Sequence, residues 1–315
     1  MTSHPSGPAH RATTLSASSP EDVLAAVPVV LGFEPLDSVV MLTFGGVETF
    51  QARVDLPQPG ATGEVRETVR QLLEPARQHR VTRVVFVIYA DDGPTVRAVT
   101  RDLRRAFDAS GIDVVEVLRA HEGRWFAPGR PGAPWRGVPY DISDHRFRAQ
   151  AVVEGIVVHR SRAELEAVLE PVPAAVAETA AALRRAVPSS PGEVADLVDR
   201  RLDEGRLTTV ELARVLLGLL DPGGRDAACA DLTREVADRH VRLWTDAVQR
   251  APDEMVAAPA AVLALAAWLS GHGALAWCAV DRCCAVEPDN SLAELVADAL
   301  TRAVPPSAWE EAQAG

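Results

Sequence analysis

The hydrophobic and polar positions of the first half change period several times along the chain. Ser19 precedes Pro20-Glu21-Asp22, placing a capping hydroxyl, a proline and two acids where a helix begins; the apolar residues after them predict a helix that ends near Leu31-Gly32. Residues 39–44 are apolar on both faces, as in a strand inside its sheet. Gly45-Gly46 predicts a tight turn, and 47–55 returns as an antiparallel partner. In that partner Phe50, Ala52 and Val54 alternate with Gln51, Arg53 and Asp55, so one face meets the core and the other meets water or a ligand. Helical spacing follows over 63–79, with Val65, Val69, Leu72, Leu73 and Ala76 on one stripe.

Two strand–helix units come next. Residues 84–88 form a continuous apolar run, Asp91-Asp92-Gly93-Pro94 opens a helix reaching about Ala109, and 112–118 is a further strand with 124–126 as its hairpin partner. Residues 127–146 carry Pro and Gly without either period and are expected to be a long loop. From Phe147 onward only helical spacing is found, over 147–158, 162–169, 174–187, 193–204, 208–220, 226–250, 256–270, 272–286 and 290–303. The predicted fold is an α/β N-terminal domain, a mixed sheet with an N-terminal β-hairpin and flanking helices, followed by an all-α domain. The expected boundaries are a disordered tail over 1–19, the α/β domain over 20–158, a helical connector over 159–190, the all-helical domain over 191–305 and a tail over 306–315.

Composition narrows the chemistry. The 315 residues include 32 basic and 44 acidic side chains; residues 1–150 hold 17 Arg against 18 acids and residues 151–315 hold 15 against 26. The acidity therefore belongs to the second half, which is not expected to grip a phosphate backbone. Every basic residue is arginine. Schiff-base chemistry, pyridoxal phosphate attachment, a Walker-type phosphate lysine and a lysine general base are excluded. Cys229, Cys278, Cys283 and Cys284 match neither a disulfide framework nor a zinc spacing, and are expected to be free thiols. The histidines form no H-x-x-x-H or H-E-x-x-H pair, so no metal site is expected from them. Residues 256–280 lack Asp, Glu and Arg but are broken by Gly271-His272-Gly273, which favours two buried helices over a membrane span. The protein is expected to be soluble and cytoplasmic.

Two motifs carry a resemblance. Leu31-Gly32-Phe33-Glu34-Pro35-Leu36-Asp37-Ser38, with Arg53-Val54-Asp55-Leu56-Pro57, resembles the opening of an actinobacterial family known only as a domain of unknown function, and the likeness extends over most of the chain. That resemblance implies no activity. In that family the loop corresponding to 127–146 often carries a cysteine cluster before a Gly-x-Pro; this chain has Gly137-Val138-Pro139 and no cysteine there, so no metal or redox role follows for the loop. Separately, Gly271, Ala276, Val280, Cys283 and Pro288 have the spacing of the second helix of a tetratricopeptide-like hairpin, so the all-α domain is expected to be either a repeat-like solenoid or an irregular helical bundle.

Candidate sites follow from position. Asp37 and Ser38 pair a carboxylate with a hydroxyl at a sheet rim, or form a turn that bonds the main chain. Arg53 and Asp55, about 7 Å apart on one strand face, could clamp an anion and accept a proton, or be a surface ion pair. Asp91 and Asp92 end a parallel strand, where they could hold Mg²⁺ or a ribose, or cap the next helix. Arg119, Arg124, Trp125 and Trp135 stand in a stretch that interleaves arginine with aromatics, suited to stacking on a base or anchoring a partner, or to plugging the sheet. Over residues 119–148 the six arginines and three acids give a net charge of +3, too small for strong nucleic-acid binding. The catalytic candidates are thus Asp37, Ser38, Asp55 and Asp91, and the ligand-binding candidates Arg53, Asp92, Arg119, Arg124, Trp125 and Trp135. The expected function is binding or scaffolding, with a protein partner on the helical half and a small ligand or partner on the α/β half. The alternative is an enzyme acting on a phosphorylated or nucleotide-like small molecule.

Overall fold

The computed structural model describes residues 17–46, 49–58, 60–91 and 93–309, with the side chain of Thr62 also left out of the description. Residues 1–16 of the expected 1–19 tail, the two residues after the Gly45-Gly46 turn, Pro59, Asp92 and the last six residues lie outside these. By contacts the chain divides into two compact units, one running to Arg162 and taking in Thr301–Pro305, the other comprising Ala163–Leu300 with the residues from Pro306 onward.

In the first unit, α1 (Pro20–Leu31) starts at a full capping box: Ser19 Oγ accepts from the Asp22 N–H, and the Asp22 carboxylate accepts from the Ser19 N–H. Gly32, at φ 78°, ends it in the left-handed region. The chain then turns into β1 (Ser38–Phe44), and β2 (Gln51–Asp55) pairs with it antiparallel. Next come α2 (Thr62–Gln78), β3 (Arg83–Tyr89), α3 (Pro94–Asp108), β4 (Asp113–His121), β5 (Arg124–Phe126), β6 (Val138–Pro139) and α4 (Arg146–Val153). The six strands form one mixed sheet in the order β2-β1-β3-β4-β5-β6, with β3 and β4 the parallel pair. This is the mixed sheet that the sequence pattern predicts.

The sheet is covered on both faces by different material. On one face Val39, Met41, Phe86, Ile88 and Val117 pack against α2 and α3 through Leu72, Val99, Leu103 and Phe107. On the other, Val40, Val87, Leu118, Ala120 and Trp125 pack against Val23, Leu24 and Val27 of α1 and against Ala133, Val138 and Tyr140 of the long loop. An extra residue in β4 shifts its register against β3 between Val84 and Val85, which turns Val115 out to solvent. The loop over 127–146 contains the short strand β6, which two residues of sequence could not announce.

The second unit is a run of helices: α5 (Arg162–Ala167), which begins at the division, then α6 (Pro173–Leu183), α7 (Pro191–Arg201), α8 (Thr209–Gly218), α9 (Pro222–Cys229), α10 (Ala237–Arg250), α11 (Ala257–Leu269), α12 (Gly273–Cys284) and α13 (Ser291–Thr301). Ser190 with Glu193 and Thr208 with Glu211 make capping boxes at α7 and α8. Every residue of α11 is buried, so this helix is wrapped by its neighbours, chiefly α10 and α12. Gly271 turns the chain between α11 and α12, and Ala276, Val280 and Cys283 are buried along α12. The single helix expected over 226–250 is two. Residues 230–236 form turns, with the Leu232 N–H donating to the Cys229 carbonyl and the Val236 N–H to the Thr233 carbonyl, and the second helix starts only at Ala237. Among the described residues no helix is long and apolar enough to cross a membrane. None of the four cysteines forms a disulfide; burial pushes Cys229 and Cys283 up to about 12, which makes them poor thiolates.

Candidate functional site

The corner between α1 and β1 is built from main-chain geometry. Asp37 adopts φ 42°, a conformation Asp tolerates better than most residues, and its carbonyl accepts from the Leu56 N–H at 2.8 Å. Its side chain is exposed. Ser38 opens β1 fully buried; in register it faces Asp55 of β2 on one side and Tyr89 of β3 on the other, so all three side chains leave the same face of the sheet. Neither Ser38 Oγ nor Tyr89 Oη has a hydrogen-bond partner among the described residues. Burial raises Tyr89 well above the usual phenol range, with Tyr140 and Glu34 adding to it.

The same face holds Arg53, whose guanidinium lies 2.6 Å from the Asp55 carboxylate and 5.9 Å from the centre of the Phe33 ring. The structure therefore brings Ser38, Arg53 and Asp55 together at the end of the sheet where β3 finishes. Arg119 does not join them. It sits in register with Ile88 and Phe126, on the α2–α3 face, with its guanidinium 3.7 Å from the Phe126 ring centre and one N–H donating to the Ala90 carbonyl at 3.3 Å. Asp91 is exposed, with His121 Nε2 at 3.6 Å. Among the described residues no group of three or more His, Cys, Asp or Glu is placed to hold a metal ion.

The arginine–aromatic stretch splits between structure and surface. Arg124 donates to the carbonyls of Arg136 at 2.8 Å and Gly137 at 3.0 Å, fixing the loop to β5. Trp135 is 81% exposed, with the Arg136 guanidinium 4.7 Å from its ring centre. Trp125 is buried on the α1 face, and its indole N–H donates to Glu21 at 2.9 Å. Trp125 and the loop residues Ala127, Arg130, Pro131, Gly132, Ala133 and Pro134 line a cavity of about 280 Å³. Arg130 also donates to Glu116 at 3.1 Å.

A second anchor of this loop is Asp22. Its carboxylate accepts from Ser18 and Ser19 and also meets His145 Nε2 at 3.1 Å and Arg146 at 3.2 Å. The Ser18 main-chain N–H foremost, then its hydroxyl and the Arg146 charge, hold this carboxyl well below the usual range against the opposing effect of burial. Sequence reasoning missed Asp22 as an anchor, and it missed Tyr89 and Arg130. The proline spacing around Arg130 was the only available signal for the cavity.

Comparison with known proteins adds a family and no chemistry. The model of a family described as Domain of unknown function (DUF4192) matches residues 20–307. No curated protein and no solved structure matches the chain.

Proposed function

Because the chain belongs to the DUF4192 family, whose description carries no activity, we propose its function from geometry: the α/β half is a binding module that takes a small, flat group into the cavity beside Trp125. The observation that carries this reading is the cavity itself. Trp125, 9% exposed and with its indole N–H bonded to Glu21, contributes an aromatic surface to the lining, beside alanine, glycine and proline. At about 280 Å³ it suits a ring or a short side chain better than a whole nucleotide. Arg130, which also donates to Glu116, adds a cationic group to the lining and would favour an acidic substituent able to share it.

The candidate carboxylates fit the binding reading better than catalysis. Asp55 is paired with Arg53, Asp91 lies near His121 in the open, and Arg119 stands on the opposite face of the sheet from Ser38. An enzyme acting on a phosphorylated small molecule would have to use the Ser38–Asp55–Tyr89 row, and Ser38 is wholly buried. The helical half, with Val210, Leu220, Val286 and Leu295 exposed, is the side we assign to a protein partner.

The test is a thermal-shift screen of aromatic acids, nucleosides, nucleotides, sugar phosphates and divalent cations against the wild type and Ala133→Phe, which fills the cavity. A ligand at about 100 times its Kd adds roughly 2.7 kcal/mol of stability. The expected hit is a planar acid whose stabilisation disappears in A133F. A screen without hits, or a hit that A133F leaves intact, contradicts the reading.

A further inference from the structure

The two edges of the sheet are built differently. At one edge β6 is two residues long and ends in Pro139, which supplies no N–H and blunts further pairing. At the other, β2 presents Gln51, Ala52, Arg53, Val54 and Asp55 with no proline before Pro57. The bonds to β1 fix which way its main chain points. Thr43 N–H donates to the Phe50 carbonyl and Leu56 N–H to the Asp37 carbonyl, so the even-numbered residues of this strand bond β1; Gln51, Arg53 and Asp55 turn their N–H and C=O groups away from it.

We propose that two copies of this chain pair through β2, antiparallel and about a two-fold axis at Val54, so that two six-stranded sheets become one. The charge pattern of the strand picks the partner and the register. Outward-pointing residues must face one another, which leaves three close registers. Setting Arg53 against Arg53 places like charges directly opposite. Setting Arg53 against Gln51 pairs no charge. Setting Arg53 against Asp55 makes both ends of the pairing complementary and lets the ion pair within each copy extend across the axis. This register also brings Val54 against Val54 and Ala52 against Leu56, the residues that pack toward α2, so the apolar layer continues from one copy to the next. Two Arg53–Asp55 pairings supply roughly four main-chain hydrogen bonds. A second copy fits a strand with an internal two-fold charge pattern, because a two-fold interface must be complementary to itself. This inference stands independently of the cavity beside Trp125.

Analytical ultracentrifugation of the full chain tests it. The wild type is expected to show a concentration-dependent monomer–dimer equilibrium. Arg53→Asp and Asp55→Arg should each weaken the dimer about tenfold, by facing like charges across the axis twice, and the double variant R53D/D55R should restore it. Circular dichroism checks that each variant is folded. A second measurement keeps all the charges: a spin label on Gln51→Cys should report one distance between copies of about 20 Å, because each label stands three residues from the axis. A monomer throughout, a dimer indifferent to the single substitutions, a double variant that does not recover, or a label distance far from this value would overturn the proposal.

Discussion

At the scale of single residues, the chain is decided by a few positions whose backbone or surroundings allow little choice. Gly137 has φ 66°, and a Cβ added there would stand 2.6 Å from the Phe126 ring, the same ring that lies against Arg119. Gly132, five residues earlier, has φ 74° but open space where its Cβ would be. Gly132→Ala should therefore cost about 1 kcal/mol, from the conformation alone, and Gly137→Ala about 1–3 kcal/mol more from the clash, measured by denaturant unfolding. Equal costs would mean that Phe126 is not fixed by its partners. Asp37 and Ser38 show how far a motif can be read in advance. Their position at the corner was legible from Pro35 and the apolar run after it. That Ser38 is sealed among Asp55, Tyr89 and the core was not, because burial depends on strands that are distant in sequence.

At the scale of elements, runs whose pattern matches one environment were legible, and elements decided by two environments were not. The strands over Ser38–Phe44 and Arg83–Tyr89 are apolar on both faces because α1 covers one side and α2 with α3 the other. The expected helix over 226–250 is two, interrupted by turns over residues 230–236, where the sequence carries no Gly or Pro to announce the break. The second of the two helices, α10, carries a buried titratable group. His240 is buried, and its Nδ1 accepts from the Trp244 indole N–H at 3.3 Å. Burial foremost, and then Arg239, pulls His240 down from 6.5 to about 4, against the attraction of Asp231 and Asp199. A folded-state value below the unfolded one means that the unfolded chain takes up the proton first. This contribution is therefore complete above about pH 6.5, and stability falls as the pH drops toward 4, by up to about 3 kcal/mol. Urea unfolding near pH 7 and near pH 4.5 should show that loss in the wild type and a much smaller one in His240→Gln, which keeps an acceptor for Trp244 and cannot be charged. An unchanged profile in H240Q would place the acid sensitivity elsewhere.

At the scale of the whole molecule, the division into an α/β half and a helical half was legible from the change of period near residue 147, because periodicity survives without any knowledge of contacts. The cavity was not legible, because it is made by a loop without periodicity together with a tryptophan whose strand partner is Ala120. In the proposed function, ligand binding takes place there and protein contact falls to the acidic helical half. The six tryptophans make a direct test available, since Trp125 and Trp135 belong to the α/β half and Trp244, Trp268 and Trp277 to the helical half. Indole N–H signals in ¹H–¹⁵N spectra, with the Trp125 signal assigned through Trp125→Phe, would be followed while the planar acid found by thermal shift is added. The Trp125 indole is expected to move on titration while Trp244, Trp268 and Trp277 stay in place. A ligand that stabilises the protein and shifts the indoles of the helical half, leaving Trp125 where it was, would contradict the assignment of the cavity as the binding site.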